Sequence, residues 1–305
     1  MENLIDFAFK SKYEKVKKLR SRLEKMKRVI DWDKFLPLFP ENKAGPGRPA
    51  YDKVFMVKTL LLQSWYGLSD EELEYQIYNR LDFQNFLDCP EKVPDYSTVW
   101  RFREELAEGD IIDNLWAEHQ RQMDEKCIKI EKGTIQDASF IQADPGKKRS
   151  GMECRGREAK TSRSKDGTWT KKNNKSYFGF KLHTKIQRGS KIIKEIALTT
   201  AKTHDSDIDL AKPDEIVYRD RAYTGVKTKA KGNGSMKRGK LTPKEKLRNK
   251  RITRKRSQGE HPYGTIQRSF NGGRTKLTTI PRVFIQQIFI CAAYNIHRLQ
   301  FLLTT

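Results

Sequence analysis

Apolar residues recur at helical spacing through the first 130 positions. Leu4, Phe7, Val16, Leu19, Leu23, Met26 and Ile30 predict one helix over residues 1–30. The proline- and glycine-rich stretch from Pro37 to Pro49 predicts a loop. Val54, Val57, Leu60, Leu61 and Trp65 then form one apolar helical face, which Gly67 ends. Ser69 and Glu72 stand at capping-box spacing before the next face, Leu73, Ile77 and Leu81. Cys89 to Asp95 is a turn with two prolines, after which Asp95 or Ser97 caps a third helix bearing Val99, Phe102 and Leu106. Short helices with tight turns suit either a DNA-contacting helix-turn-helix or a scaffold and dimerisation bundle.

After Ile130 the period changes. Gly133 to Ile141 predicts a strand, and Tyr177 to Ile186 alternates as a second. Lys191 to Thr199 predicts a third strand after the turn Arg188-Gly189-Ser190. Glu215 to Arg219 predicts a short fourth, stopping at Asp220. Residues 145–175 and 227–256 are basic and poor in apolar side chains. The first predicts a long loop, and the second turns helical from Pro243. Residues 257–303 predict helices broken at Asn271-Gly272-Gly273. Strands followed by helices predict an α/β or α+β domain around a central sheet.

Charge changes the picture. The 305 residues carry a formal net charge of +23, and the excess is concentrated. Residues 146–190 hold 14 basic and 3 acidic side chains, and residues 226–276 hold 17 and 2. Residues 50–125 are the reverse, with 17 acids and 7 bases. Basic stretches this dense point to a polyanion, most commonly nucleic acid. No apolar run is long enough to span a bilayer, and the N-terminus lacks a secretory pattern. The four cysteines form no CxxC pair, which fits a reducing cytoplasm rather than a zinc ribbon or disulfide framework.

Three acids stand out against the basic half. Asp137 lies in the first predicted strand, Asp220 directly follows the fourth, and Glu260 is one of two acids among 17 bases. Carboxylates from distant segments can hold divalent cations that clamp a phosphodiester, and magnesium suits such oxygen ligands. Spacing leaves open the alternative that each acid only pairs with neighbouring arginines. A purely RNA-binding basic protein needs neither Asp220 nor Glu260.

The segments GTIQDASFIQA, AKTHDSD, IVYRDRAYTG and RSQGEHPYGTIQRSF, in this order, resemble the DDE insertion-sequence transposases. The closest similarity is to the group typified by insertion sequences four and five. Tyr51 to Leu106, including STVWRFREEL, resembles the N-terminal helical domain of that group. The resemblance covers residues 30–300. After the basic helix read over 1–30, it implies a helical domain over 31–130 and an RNase H-like catalytic domain over 131–305. The catalytic domain would be α/β, a mixed sheet flanked by helices, with basic insertions near 145–175 and 226–256.

By this resemblance Asp137, Asp220 and Glu260 are the catalytic and metal-holding residues, for two magnesium ions or manganese in their place. The partners implied are double-stranded DNA, both the element's terminal inverted repeats and the target, and a second copy of the chain. The setting implied is the nucleoid of a prokaryotic cytoplasm. The family signature is Tyr, two residues, Arg, three residues, Glu, six residues, Lys. Arg256 and Glu260 match it, whereas Thr253 and Gln267 stand at the tyrosine and lysine positions and Arg268 adjoins the latter. Arg256 and Arg268 are candidate DNA contacts, with Lys147, Lys148, Arg149, Lys171, Lys172, Arg248, Lys250, Arg251, Arg254 and Lys255. His204 and Asp205 match a secondary His-Asp pair. The segment from Asp205 to Asp220 is shorter than the family's, which with Thr253 and Gln267 admits a second reading: a decayed transposase that only binds DNA.

Overall fold

The computed structural model describes residues 4–19, 22–40, 49–126, 133–146, 164–172 and 174–304. Two compact units emerge, one of residues 1–126 with Leu299–Thr305 and one of residues 127–298.

The first unit is helical. Where the periodicity predicts one N-terminal helix there are two, α1 (Leu4–Lys18) and α2 (Arg22–Val29), and a 3-10 turn, Asp33–Leu38, absorbs Pro37. Then come α3 (Lys53–Tyr66), α4 (Asp70–Asn79), α5 (Leu81–Phe86), α6 (Tyr96–Ala107) and α7 (Ile111–Lys126). Two caps follow the sequence, Ser69 accepting from Glu72 N and Asp95, not Ser97, from Thr98 N, and Asp52 accepts from Phe55 N. Gly67 closes α3 in the left-handed conformation. Leu60, Leu61 and Trp65 of α3 are buried, as are Leu73 and Ile77 of α4, Phe83 and Phe86 of α5, and Val99, Phe102 and Leu106 of α6. Each such side chain contributes about 1.5–3 kcal/mol of transfer free energy. Arg103 on α6 donates to both carboxylate oxygens of Asp70 on α4, a bidentate clamp between two helices.

The second unit holds a seven-stranded mixed sheet: β1 (Thr134–Ala143), β2 (Thr168–Lys172), β3 (Lys175–Gln187), β4 (Ile193–Thr200), β5 (Ile216–Arg219), β6 (Gly232–Ser235) and β7 (Arg274–Thr275). Its path is β2-β3-β1-β5-β6, with β4 on β3 and β7 on β1. β3 is antiparallel to β1, β2 and β4, whereas β5 is parallel to both β1 and β6. Helices α8 (Pro243–Arg256), α9 (Glu260–Ser269) and α10 (Ile280–Leu302) follow, and Thr242 and Glu245 form a complete capping box at the start of α8. β2 lies within residues that the sequence assigns to a loop, and β6, Gly-Asn-Gly-Ser, carries no strand-forming side chain at all. β6 pairs through its backbone, and its glycines leave room for neighbours: a Cβ on Gly234 would meet Tyr218 Cδ1 at 2.7 Å. Residues 205–215 form a 3-10 turn and extended chain, with no α-helix before β5.

Alternation assigns the faces of the sheet. Gln136 of β1 and Arg219 of β5 share one face and both are fully buried. Arg219 donates from Nε to Gln136 Oε1 at 2.9 Å, from Nη2 to the same oxygen at 2.8 Å and to Asp209, and from Nη1 to Thr228 at 3.0 Å. Gln136 in turn donates to Ile208 O at 2.7 Å and accepts from Leu210 N. Burial pulls the Arg219 pKa below its ordinary value, offset by the Asp209 charge. Removing one partner of such a buried pair leaves the other uncompensated. Asp209→Ala is expected to cost about 3–5 kcal/mol in urea denaturation of the full chain. Asp207→Ala, exposed on the same segment, is expected to cost less than about 0.5 kcal/mol.

Candidate active site

β1 and β5 pair with Thr134 beside Val217 and Ile135 beside Tyr218. Carried two residues further, this register sets Asp137 beside Asp220. Both fall on the face opposite Gln136 and Arg219. Asp220 caps the 3-10 turn Arg221–Tyr223 by accepting from Ala222 N at 2.8 Å, which fixes its rotamer as the strand ends. Asp137 Oδ1 accepts from Ala138 N at 3.0 Å, and Oδ2 accepts from Arg256 Nη2 at 2.7 Å. Both side chains of that ion pair are 16% exposed. Burial raises the Asp137 pKa above the usual carboxylate range, Arg256 and the Ala138 N–H oppose the rise, and Asp220 adds to it.

The third acid arrives on the break between α8 and α9. Residues Ser257–Gly259 form a 3-10 turn laid on β1, and a Cβ on Gly259 would sit 2.8 Å from Ile135 Cγ2. Glu260 then opens α9, exposed at its first turn. Tyr263, one turn on, donates to the backbone carbonyl of Asp137 at 2.8 Å, and its oxygen accepts from Thr184 Oγ1 of β3 at 2.6 Å. α9 is thereby pinned to β1 by a main-chain contact that makes no use of the Asp137 carboxylate. Gln267, at the signature's lysine position, donates to Ser139 of β1 at 3.2 Å. Thr253, at the tyrosine position, turns back to Asn249 O.

The guanidinium of Arg256 feels the charges of Asp137, Asp220 and Glu260, which together outweigh burial and raise its pKa. Oxygen donors of this kind suit a hard divalent cation. Among the described residues, however, no three His, Cys, Asp or Glu side chains are gathered into a ligand cluster. Arg256 holds the cationic position against Asp137 instead.

The other sequence candidates divide. His204 Nδ1 meets Ser206 Oγ at 2.6 Å and Ser206 N, capping its own turn, and Asp205 pairs with Lys181 at 2.9 Å on the Gln136 face. Neither hydrogen-bonds to Asp137 or Asp220. Lys250, Arg251 and Arg254 are exposed on α8, at spacings that place them along one side of the helix, and Lys171 is exposed on β2. Arg248 and Lys255 are engaged within the second unit. Arg248 donates to Ser235 O and Asn233 O, and Lys255 donates to Tyr218 Oη at 3.0 Å with its ammonium 4.7 Å from that ring's centre. Arg268 is exposed but folds onto Gly264 O of its own helix. Arg256 is turned to Asp137 rather than to solvent. Lys147, Lys148 and Arg149 lie outside the described residues, as does the Lys172 side chain. Gly259 and Tyr263 both lie within four residues of Glu260, inside the segment RSQGEHPYGTIQRSF that carries the resemblance.

Residues 129–296, more than half of the chain, match the family described as Transposase DDE domain. The chain belongs to the DDE transposase family. Residues 11–105 match a second family, described as Transposase domain (DUF772). No solved structure matches this transposase. Its mixed sheet flanked by helices is consistent with the RNase H-like fold of DDE domains. Among the described residues no helix is long and apolar enough to cross a membrane.

Close approach of the Gly259 turn to β1 sets where Glu260 stands. Gly259→Ala is expected to cost about 1–3 kcal/mol by overpacking. The pair Gly259→Ala with Ile135→Ala is expected to cost less than the two single changes added together, read from thermal denaturation of each variant.

Proposed function

We propose that this transposase binds the ends of an insertion sequence, cleaves a DNA strand there and transfers the freed 3′-hydroxyl to target DNA. The observation that carries the reading is the β1/β5 register, which sets Asp137 and Asp220 side by side while Tyr263 and Gly259 fix the start of α9 beside them. Asp137, Asp220 and Glu260 would hold two divalent cations, magnesium or manganese. Such cations, when bound, lower the pKa of water and neutralise charge on phosphodiester oxygens. The chain's own part is positioning. Asp220 is held by its turn, Asp137 by its strand and the Ala138 N–H, and Glu260 by a helix anchored to the Asp137 carbonyl. Tyr223 and Tyr263 are not required as nucleophiles, since in-line displacement needs no covalent protein–DNA link.

Lys250, Arg251 and Arg254 along α8, with Lys171 on β2, are the cations best presented to the phosphate backbone. Contacts of this type position a duplex without reading its sequence. Two ends must be held for transposition, so a homodimer is the proposed assembly, working on the nucleoid of a prokaryotic cell. The DUF772-type helical unit is proposed to serve DNA contact or dimerisation.

Two experiments test this. A labelled duplex carrying the inverted repeat that flanks the coding sequence is incubated with protein and magnesium. Nicking is expected from the wild type and is expected to vanish in Asp220→Asn. Tight, salt-sensitive binding with no nicking by either protein would replace this reading with a decayed, DNA-binding transposase. Separately, Arg251→Ala should weaken binding of that duplex and of a scrambled duplex alike, and lower the slope of log K against log salt by about 1. An unchanged slope would remove α8 from the DNA-binding surface.

A further inference from the structure

Two arginines of the second unit, Arg219 buried and Arg256 half-buried, are used in opposite ways. Arg219 engages Nε, Nη1 and Nη2 with Gln136, Thr228 and Asp209. Arg256 makes one hydrogen bond, Nη2 to Asp137 Oδ2, and its Nε is buried with no partner. A guanidinium carries five N–H donors, and native interiors rarely leave one stranded. Arg219 is a finished structural link, whereas Arg256 is short of acceptors.

Its surroundings explain what it does there. Asp137 Oδ1 accepts from Ala138 N, whereas Oδ2, an oxygen that a cation could bind, carries Arg256. Asp220 and Glu260 both act electrostatically on the same guanidinium. Without a positive charge in their midst, neighbouring carboxylates repel one another, and a partly buried one is costly. Arg256 is also the last residue of α8, where the chain breaks before α9.

We propose that Arg256 is the resident counter-ion of the carboxylate site. It occupies the cation's place on Asp137 in the metal-free protein and moves to a DNA phosphate oxygen when a divalent cation takes that place. The proposal rests on the reading of Asp137, Asp220 and Glu260 as the cation-holding residues. It makes Arg256 a positioning residue that competes with the cation before it contacts DNA. The unpartnered Nε supplies the extra donor that a phosphate, with several acceptor oxygens, can use.

The test is Mn2+ binding to the full-length protein without DNA, by calorimetry, for wild type, Arg256→Gln, Arg256→Lys and Asp137→Asn/Arg256→Gln. Losing the competing ion pair is expected to tighten Mn2+ binding in Arg256→Gln by about tenfold or more. The double variant should lose that gain. Thermal unfolding supplies a second readout: Arg256→Gln should melt below wild type without metal and recover with Mn2+. Arg256→Lys, which keeps the charge, serves if the glutamine variant does not fold, and should bind Mn2+ no more tightly than wild type and melt close to it. Equal or weaker Mn2+ binding by Arg256→Gln overturns the proposal, as does a melting deficit that Mn2+ leaves unchanged. If neither protein binds Mn2+ while wild type still nicks DNA with magnesium, the counter-ion role alone fails. If binding and nicking are both absent, the catalytic reading fails and takes the proposal with it.

Discussion

The buried contact of Arg219 with Gln136 and Asp209 governs the geometry of the second unit. It joins β1 to β5 at a point where two parallel strands share only a short ladder. Backbone pairing alone would leave that seam weak. The side-chain network closes it one residue before each aspartate, and strand alternation then turns Asp137 and Asp220 to the opposite face. The same network holds the chain between β4 and β5. Gln136 bonds Ile208 and Leu210, and Asp209 accepts from Ala211 N and Lys229 N. A segment that looks like a helix lost from the family pattern is therefore the lid over a buried guanidinium. Its extended course is dictated by the hydrogen bonds that the arginine and glutamine require.

Legibility in the sequence tracks how local the cause is. The helices of the first unit and the caps at Ser69 and Asp95 depend on side chains three or four residues apart, so the pattern reveals them, whereas the cap at Asp52 emerges only in the structure. Strands β1, β3, β4 and β5 carry enough apolar alternation to be seen. β6 does not, because its strand character comes from Tyr218 and Ile216 packing where its glycines leave space. The N-terminal helix splits in two although its apolar spacing continues. In the site, the identities of the three acids follow from the resemblance, but their adjacency does not. Asp137 meets Asp220 only through the β1/β5 register, and Arg256 meets Asp137 across 119 residues. The tie from Tyr263 to a carbonyl of β1 is invisible to composition or spacing.

The charge count also needs the fold to be read correctly. A net charge of +23 invites the view that every lysine and arginine faces DNA. Several do not. Lys185 is 1% exposed and bonds Glu215, Arg219 is internal, Arg248 is spent on the backbone of β6, and Lys255 lies against the Tyr218 ring. These cations brace the sheet and α8. Along α8 the division runs around the helix. Asn249 and Ile252 are buried and Arg248 and Lys255 reach inward, whereas Lys250, Arg251 and Arg254 stay in solvent. One helix thus presents cations outward while its other side locks onto β6 and onto β5, the strand that leads into Asp220.

How α9 is attached bears on what the site can accommodate. A helix could have been anchored near Asp137 by bonding its carboxylate, but that would consume a carboxylate oxygen. Tyr263 bonds the carbonyl instead and takes its second partner from Thr184 on β3, so three elements are fixed around a carboxylate left to ionic partners. Gly259 brings the helix start within contact of Ile135, and Gln267 reaches Ser139 one turn beyond Tyr263. Rigid attachment through glycine, phenol and amide keeps Glu260 at a fixed height over β1. What remains adjustable is the side chain of Arg256, at the end of α8 with most of its donors unspent. Under the proposed counter-ion role, Arg256 can give way to another cation while the framework around it stays fixed.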